Sequence, residues 1–141
     1  MKILIPTDFS DSARVALDYA VNMFQGVVDL EFVLLNSFEM PHGSSAGGVM
    51  MNLEEFMQRE SEKDLAAELK GIREKYPNLK ITPVSRYGSL ENAISRTNIE
   101  QKVDMVVMGT HGATGFKKAL VGSNAQKVVE NVHEPVIAVP L

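Results

Sequence analysis

The sequence predicts an α/β layer sandwich, an open and mostly parallel sheet with helices on both faces, formed as a single domain over residues 1–141. Three observations carry that expectation. Short runs rich in Val, Ile and Leu alternate with longer amphipathic segments. The alternation reads β-α-β-α-β-α-β-α-β, an order that winds into one sheet through right-handed crossovers. The run VDMVVMG (103–109) is the most apolar of all, as a strand covered on both faces is expected to be.

The first run is KILIP (2–6), closed by Pro6. Ser10 and Asp11 are suitable N-caps, since a short side-chain oxygen can accept a free first-turn N–H. The helix that follows is expected to reach Gln25, with Ala13, Ala16, Leu17, Ala20, Val21 and Phe24 at helical spacing and Gly26 as its stop. LEFVLLNSF (30–38) reads as the second strand. Residues 40–50, rich in Gly and Ser, read as a surface loop. A charged helix from about Asn52 to Lys75 buries Leu53, Phe56, Met57, Leu65, Leu69 and Ile72, and Tyr76-Pro77-Asn78 ends it. LKITPVS (79–85) is the third strand, and Pro83 places it at an edge because proline cannot donate to a ladder on both sides. Ser89 caps a helix with Leu90, Ala93, Ile94 and Thr97 turned inward. After the apolar fourth strand and a glycine-rich loop, Val121, Ala125, Val128, Val129 and Val132 give the stripe of a last helix, and residues 135–139 form the fifth strand.

Composition removes several classes of function. The chain is the length of one domain and long enough to hold a core without covalent staples. Hydrophobic residues at 45% and charged residues at 23% are ordinary for a globular protein. The absence of cysteine excludes a disulfide scaffold, thiolate metal sites and thiol catalysis. A net charge of −4 argues against a nucleic-acid surface, which is normally basic. No apolar run approaches the roughly 18 residues of a membrane span. The opening MKILIPTDFS reaches proline and aspartate too soon for a signal peptide, so a soluble cytoplasmic protein is expected.

Open α/β sheets bind ligands outside the carboxyl ends of their strands, where the strand order reverses. Two features fall at such ends: Thr7-Asp8-Phe9-Ser10 after the first strand, and GTHGATGFKKALVGS (109–123) at the end of the fourth. If these strands are neighbours, both features line one crevice. Gly109, Gly112, Gly122 and Ser123 have the spacing G-x2-G-x9-G-S. Glycines admit an anion close to backbone N–H groups, and the helix opened by Gly122-Ser123 offers unsatisfied N–H groups at its positive end. Lys117 and Lys118 in the same loop add positive charge. The plainer alternative is that Gly109 only ends a strand, that Gly112 and Gly115 serve turns, and that Ser123 with Gln126 forms an S-x-x-Q capping box that consumes the hydroxyl. Asp8 likewise either holds its own turn through an Asx-type bond, accepts hydrogen bonds from a ribose or helps hold a hydrated magnesium ion. His42, His111 and His133 lack the spacing of a metal site, and His111 reads as a loop residue that orients backbone. Neither the P-loop, the G-x-G-x-x-G fingerprint nor the G-x-S-x-G elbow is present.

ILIPTDFSDSA, MVVMGTHGATG, the G-x2-G-x9-G-S spacing and the terminal PVIAVP together resemble the universal stress protein family, over essentially the whole chain. The resemblance implies a five-stranded parallel sheet of order 3-2-1-4-5, which makes strands one and four neighbours. Within that family the glycine motif marks the members that bind ATP. Carried over, Asp8 contacts the ribose, the backbone near Ser37 the adenine, and Gly109 lies under the ribose. Gly112, Gly122, Ser123 and Asn124 surround the phosphates of ATP (or of AMP or ADP), accompanied by Mg2+ or Mn2+. Pro6, Thr7, Met108 and His111 complete the expected lining. Two departures stand out: Ala125 replaces a hydroxyl residue common in ATP-binding members, and Asn36-Ser37 stands where histidine–valine is often found. The family also implies a homodimer through the last strand, Val136–Val139, whose exposed apolar edge a soluble protein tends to cover. The expected function is an ATP-binding regulatory protein of the stress response. A slow ATP hydrolase and a nucleotide-free protein-interaction module are the alternatives.

Overall fold

The computed structural model describes residues 1–40, 48–111 and 122–140, with the backbone alone at 48–51. In chain order the elements are β1 (Lys2–Pro6), α1 (Asp11–Met23), β2 (Glu31–Phe38), α2 (Gly48–Lys75), β3 (Ile81–Tyr87), α3 (Leu90–Gln101), β4 (Met105–Gly109), α4 (Ser123–Asn131) and β5 (Val136–Val139). The strands form one sheet in the order β3-β2-β1-β4-β5. Every pairing is parallel, with Ile3 beside Phe32 and Met105, and Val106 beside Val136.

Alternation along the strands explains the two-sided burial. Ile3, Ile5, Phe32, Leu34 and Val107 face one layer, where they meet Ala16, Leu17 and Ala20 of α1 and Leu65, Leu69 and Ile72 of α2. Leu4, Val33, Leu35, Val106 and Met108 face the other, against Ala93 and Ile94 of α3 and Ala125 and Val128 of α4. The inner strands β1, β2 and β4 therefore carry apolar residues on both faces, which is why their runs looked continuous in the sequence. Among the described residues no helix is long and apolar enough to cross a membrane.

Several expectations at the element ends are corrected. Helix α1 stops at Met23 rather than Gln25, because Phe24 takes the C-cap and Gly26, at φ +89°, turns the chain afterwards. Helix α2 begins at Gly48, inside the stretch read as loop, while 41–47 lie outside the described residues. Strand β3 runs to Tyr87, two residues beyond expectation: the Leu79 N–H donates to the Tyr76 carbonyl, so a turn occupies the first positions. Phe56 and Val129, expected inside, are 58% and 55% exposed. Val121 lies outside the described residues.

Pro83 does sit on an edge strand. The Lys80 carbonyl accepts from Phe32, so the even-numbered residues of β3 turn their polar groups toward β2 and Pro83 turns outward. Its missing N–H therefore removes no ladder bond and leaves a gap on the solvent side of the sheet.

Candidate functional site

The strand order reverses between β1 and β4, and the chain leaves both strands on the same side of the sheet. From β1 it turns through three local bonds. Thr7 Oγ1 accepts from the Phe9 N–H at 3.0 Å, Asp8 Oδ1 from the Ser10 N–H at 3.0 Å, and Ser10 Oγ from the Ala13 N–H at 3.3 Å. The first two are side-chain mimics of a turn, and the third is the N-cap of α1. Phe9 is held at φ +66° between them. A left-handed backbone at a bulky residue costs roughly 1–3 kcal/mol; the turn bonds and the packing of Phe9 on the α1/α2 core offset it. The turn leaves the Asp8 carboxylate exposed at the mouth of the crevice. Arg14, one turn into α1, donates to Asp11 and to Glu68 of α2, and the Glu68 hydrogen bond raises its guanidinium further above its ordinary value.

On the β4 side, Gly109 ends the strand against the first turn of α1. A Cβ there would lie 2.2 Å from Ser12 Oγ and 2.8 Å from the Ser12 carbonyl. Thr110 and Ser12 are buried; Thr110 Oγ1 and His111 Nδ1 share a hydrogen bond of 2.9 Å, and the His111 N–H donates to Ser12 Oγ at 3.4 Å. The His111 ring thus meets the Thr110 hydroxyl while its backbone N–H is held by Ser12. Gly122 is the N-cap of α4, and its N–H donates to the Thr110 carbonyl at 2.6 Å. A Cβ on Gly122 would sit 2.5 Å from that same oxygen.

The capping-box reading of Ser123 is corrected. Ser123 is the first helical residue, and the cap belongs to Gly122, which supplies no side-chain cap bond. Gln126 donates instead to Glu130. The reason is steric: Gly122 can approach Thr110 only without a side chain, and that approach fixes the helix start one residue earlier.

One cavity of about 430 Å³ opens between these elements, within the roughly 300–1,000 Å³ usual for small-molecule sites. Pro6, Thr7, Asp8, Ser37, Met108, Gly109, His111, Gly122, Ser123 and Asn124 all line it. Gly112, Gly115, His42, Lys117 and Lys118 lie outside the described residues. Sequence reasoning missed Ala13, Leu90 and Thr110 as wall residues. It also missed the role of Asn36, whose Nδ2 donates to the Thr7 carbonyl at 2.8 Å and whose Oδ1 accepts from Ser61 Oγ at 2.7 Å. The only signal for it was a polar pair, Asn36-Ser37, at the end of an apolar strand. Among the described residues no group of three or more His, Asp and Glu is placed to hold a metal ion.

The profile described as the universal stress protein family matches residues 1–140. The chain belongs to that family. The universal stress protein MJ0531 of Methanocaldococcus jannaschii is 32% identical over 140 residues, covering 98% of this chain and 81% of its own. MJ0577 of the same organism is 28% identical over 153 residues, covering 98% and 93%. A structure of MJ0577 superposes with a TM-score of 0.77 at 26% identity, over 99% of this chain and 95% of that one. A universal stress protein of Arabidopsis thaliana with AMP bound superposes at 0.64 and 13% identity, over 99% and 91%, and shows the shared fold alone. The reversal between β1 and β4 is thus part of a fold shared with universal stress proteins of known structure.

Proposed function

We propose that the crevice binds an adenine nucleotide, ATP in the first instance, and that the domain of residues 1–141 acts as a nucleotide-responsive regulator in the stress response. One observation carries the reading: a carboxylate, Asp8, and a helix start with no side-chain cap, Gly122-Ser123-Asn124, line the same cavity. The Asp8 carboxylate oxygens accept hydrogen bonds, and the backbone N–H groups of the first turn of α4 donate them. A ligand that satisfies both has hydroxyl donors at one end and an anion at the other, as a ribose phosphate does. The apolar walls at Pro6, Ala13, Leu90 and Met108 suit the flat face of a base. The AMP-bound Arabidopsis relative supports this direction. Among the described residues no cluster of His, Asp and Glu is placed to bind a metal, so Mg2+ or Mn2+ would arrive with the phosphates. A second copy pairs along the open edge of β5.

The reading in which the glycines are structural also has an observation in its favour, since Gly109 and Gly122 both lack the room for a side chain. Thermal denaturation with and without Mg-ATP and AMP separates the two. A bound ligand at a hundredfold excess over Kd stabilises the folded state by about 2.7 kcal/mol. The nucleotide reading expects a rise in Tm that Asp8→Ala removes, and no rise at millimolar nucleotide leaves a bare interaction module.

A further inference from the structure

The register of β2 fixes where each of its backbone groups points. The Phe32 N–H donates to the Lys80 carbonyl and the Phe38 carbonyl accepts from Gly88, so the even-numbered residues face β3. The Glu31 N–H donates to the Met1 carbonyl and the Leu35 carbonyl accepts from Thr7, so the odd-numbered residues face β1. The Ser37 N–H therefore points toward β1, and the next rung of a regular parallel ladder would run from it to the Thr7 carbonyl. That rung is not made. The Thr7 oxygen instead accepts from the Asn36 side chain at 2.8 Å.

The orientation of the Asn36 amide is set from behind. A carbonyl only accepts, so the NH2 group must face Thr7 and Oδ1 must face the other way. There it takes the hydroxyl proton of Ser61, a residue of α2 only 5% exposed, and Ser61 Oγ in turn lies 2.6 Å from Ser85 Oγ on β3. Two strands and a helix converge on one amide. The result is a strand end whose last N–H, on a residue that lines the cavity, is left out of the ladder.

We infer that Asn36, oriented by Ser61, is a positioning residue for base recognition: by occupying the Thr7 carbonyl it keeps the Ser37 N–H available to an acceptor nitrogen of a nucleobase. The inference rests on the nucleotide reading of the crevice. Without the Asn36 amide, the Thr7 oxygen and the Ser37 N–H are each other's nearest solution, and the rung closes over the donor.

The test uses the full chain and two ligands, AMP and ribose 5-phosphate, which share the sugar and phosphate and differ by the base. Calorimetric titration compares wild type with Asn36→Leu and Ser61→Ala, and amide hydrogen exchange by NMR follows the Ser37 N–H without ligand. In Asn36→Leu the preference for AMP over ribose 5-phosphate falls about tenfold, the size of one ordinary hydrogen bond. Affinity for ribose 5-phosphate is unchanged, and the Ser37 amide gains protection. Ser61→Ala, the milder change, lowers the preference about threefold and covers the case in which Asn36→Leu does not fold. An unchanged preference in folded variants overturns the role of Asn36. If wild type binds neither ligand, the nucleotide reading fails instead, and a Ser37 amide equally unprotected in wild type and Asn36→Leu then overturns the ladder argument separately.

Discussion

Gly109→Ala tests how closely β4 and α1 are packed beside the crevice. The added methyl would start 2.2 Å from Ser12 Oγ, 2.8 Å from the Ser12 carbonyl oxygen and 2.9 Å from its carbon. The hydroxyl can rotate away, giving up its contact with the His111 N–H. The carbonyl belongs to the first turn of α1 and cannot, so the helix has to retreat by roughly half an ångström to recover normal contact distances. Overpacking of this kind costs roughly 1–3 kcal/mol. Loss of glycine's freedom in the unfolded chain returns roughly 0.4–1 kcal/mol. The net is a destabilisation of about 1–2 kcal/mol, or a fall in Tm of roughly 3–8 °C for a domain of this size. Thermal denaturation by circular dichroism reads it without any ligand. Ser12→Ala in the same background recovers part of the loss, because it removes the hydroxyl but not the carbonyl. A Gly109→Ala protein that melts at or above the wild-type temperature would show the reasoning to be wrong.

Ser10→Ala and Ser89→Ala remove true N-caps, whose side chains accept from Ala13 and Asn92, and each is expected to lower stability by about 0.5–2 kcal/mol. Ser123→Ala removes no cap and should change unfolding by urea by less than about 0.5 kcal/mol. Glu100 is held below the ordinary carboxylate range, chiefly by its hydrogen bond from Arg86. Its folded value is depressed, so its contribution is present above the unfolded value and is lost as pH falls through the folded one. Between pH 5 and pH 3, Glu100→Gln should accordingly lose less Tm than wild type. Pro135 and Val139 turn their carbonyls toward β4, which leaves the Ala138 N–H on the open edge of β5. Ala138→Pro should therefore convert the expected dimer to monomer in sedimentation experiments at micromolar concentration, and a wild-type monomer under the same conditions removes the dimer altogether.

The sequence was most legible where burial is two-sided. Val106, Val107 and Met108 cannot alternate in polarity when both faces of their strand are covered, so the run 103–109 announced a buried parallel strand. It was least legible at the ends, where tertiary contacts outweigh local preference. Ser123 followed by Gln126 fits a capping signature, yet the approach of Gly122 to Thr110 moves the helix start. Phe56 and Val129 match a helical stripe but fall on its outer margin, beyond the sheet that would cover them. In the crevice, carboxylate and glycines were visible as residue types at strand ends. Asn36 was not, because its role depends on Ser61, which lies twenty-five positions away and meets it only when α2 packs on the sheet.

The proline on the outer side of β3 has a consequence for how far such molecules can associate. A sheet with two equivalent rims can add copies at either one and grow into a filament. Here one rim lacks a donor where a newcomer would need it, which disfavours that rim for the pairing proposed above and leaves the β5 rim. Two molecules joined there by a two-fold axis present only their blunted rims to the outside. In the proposed dimer growth would end at a pair, stopped by a single imino acid on the far rim.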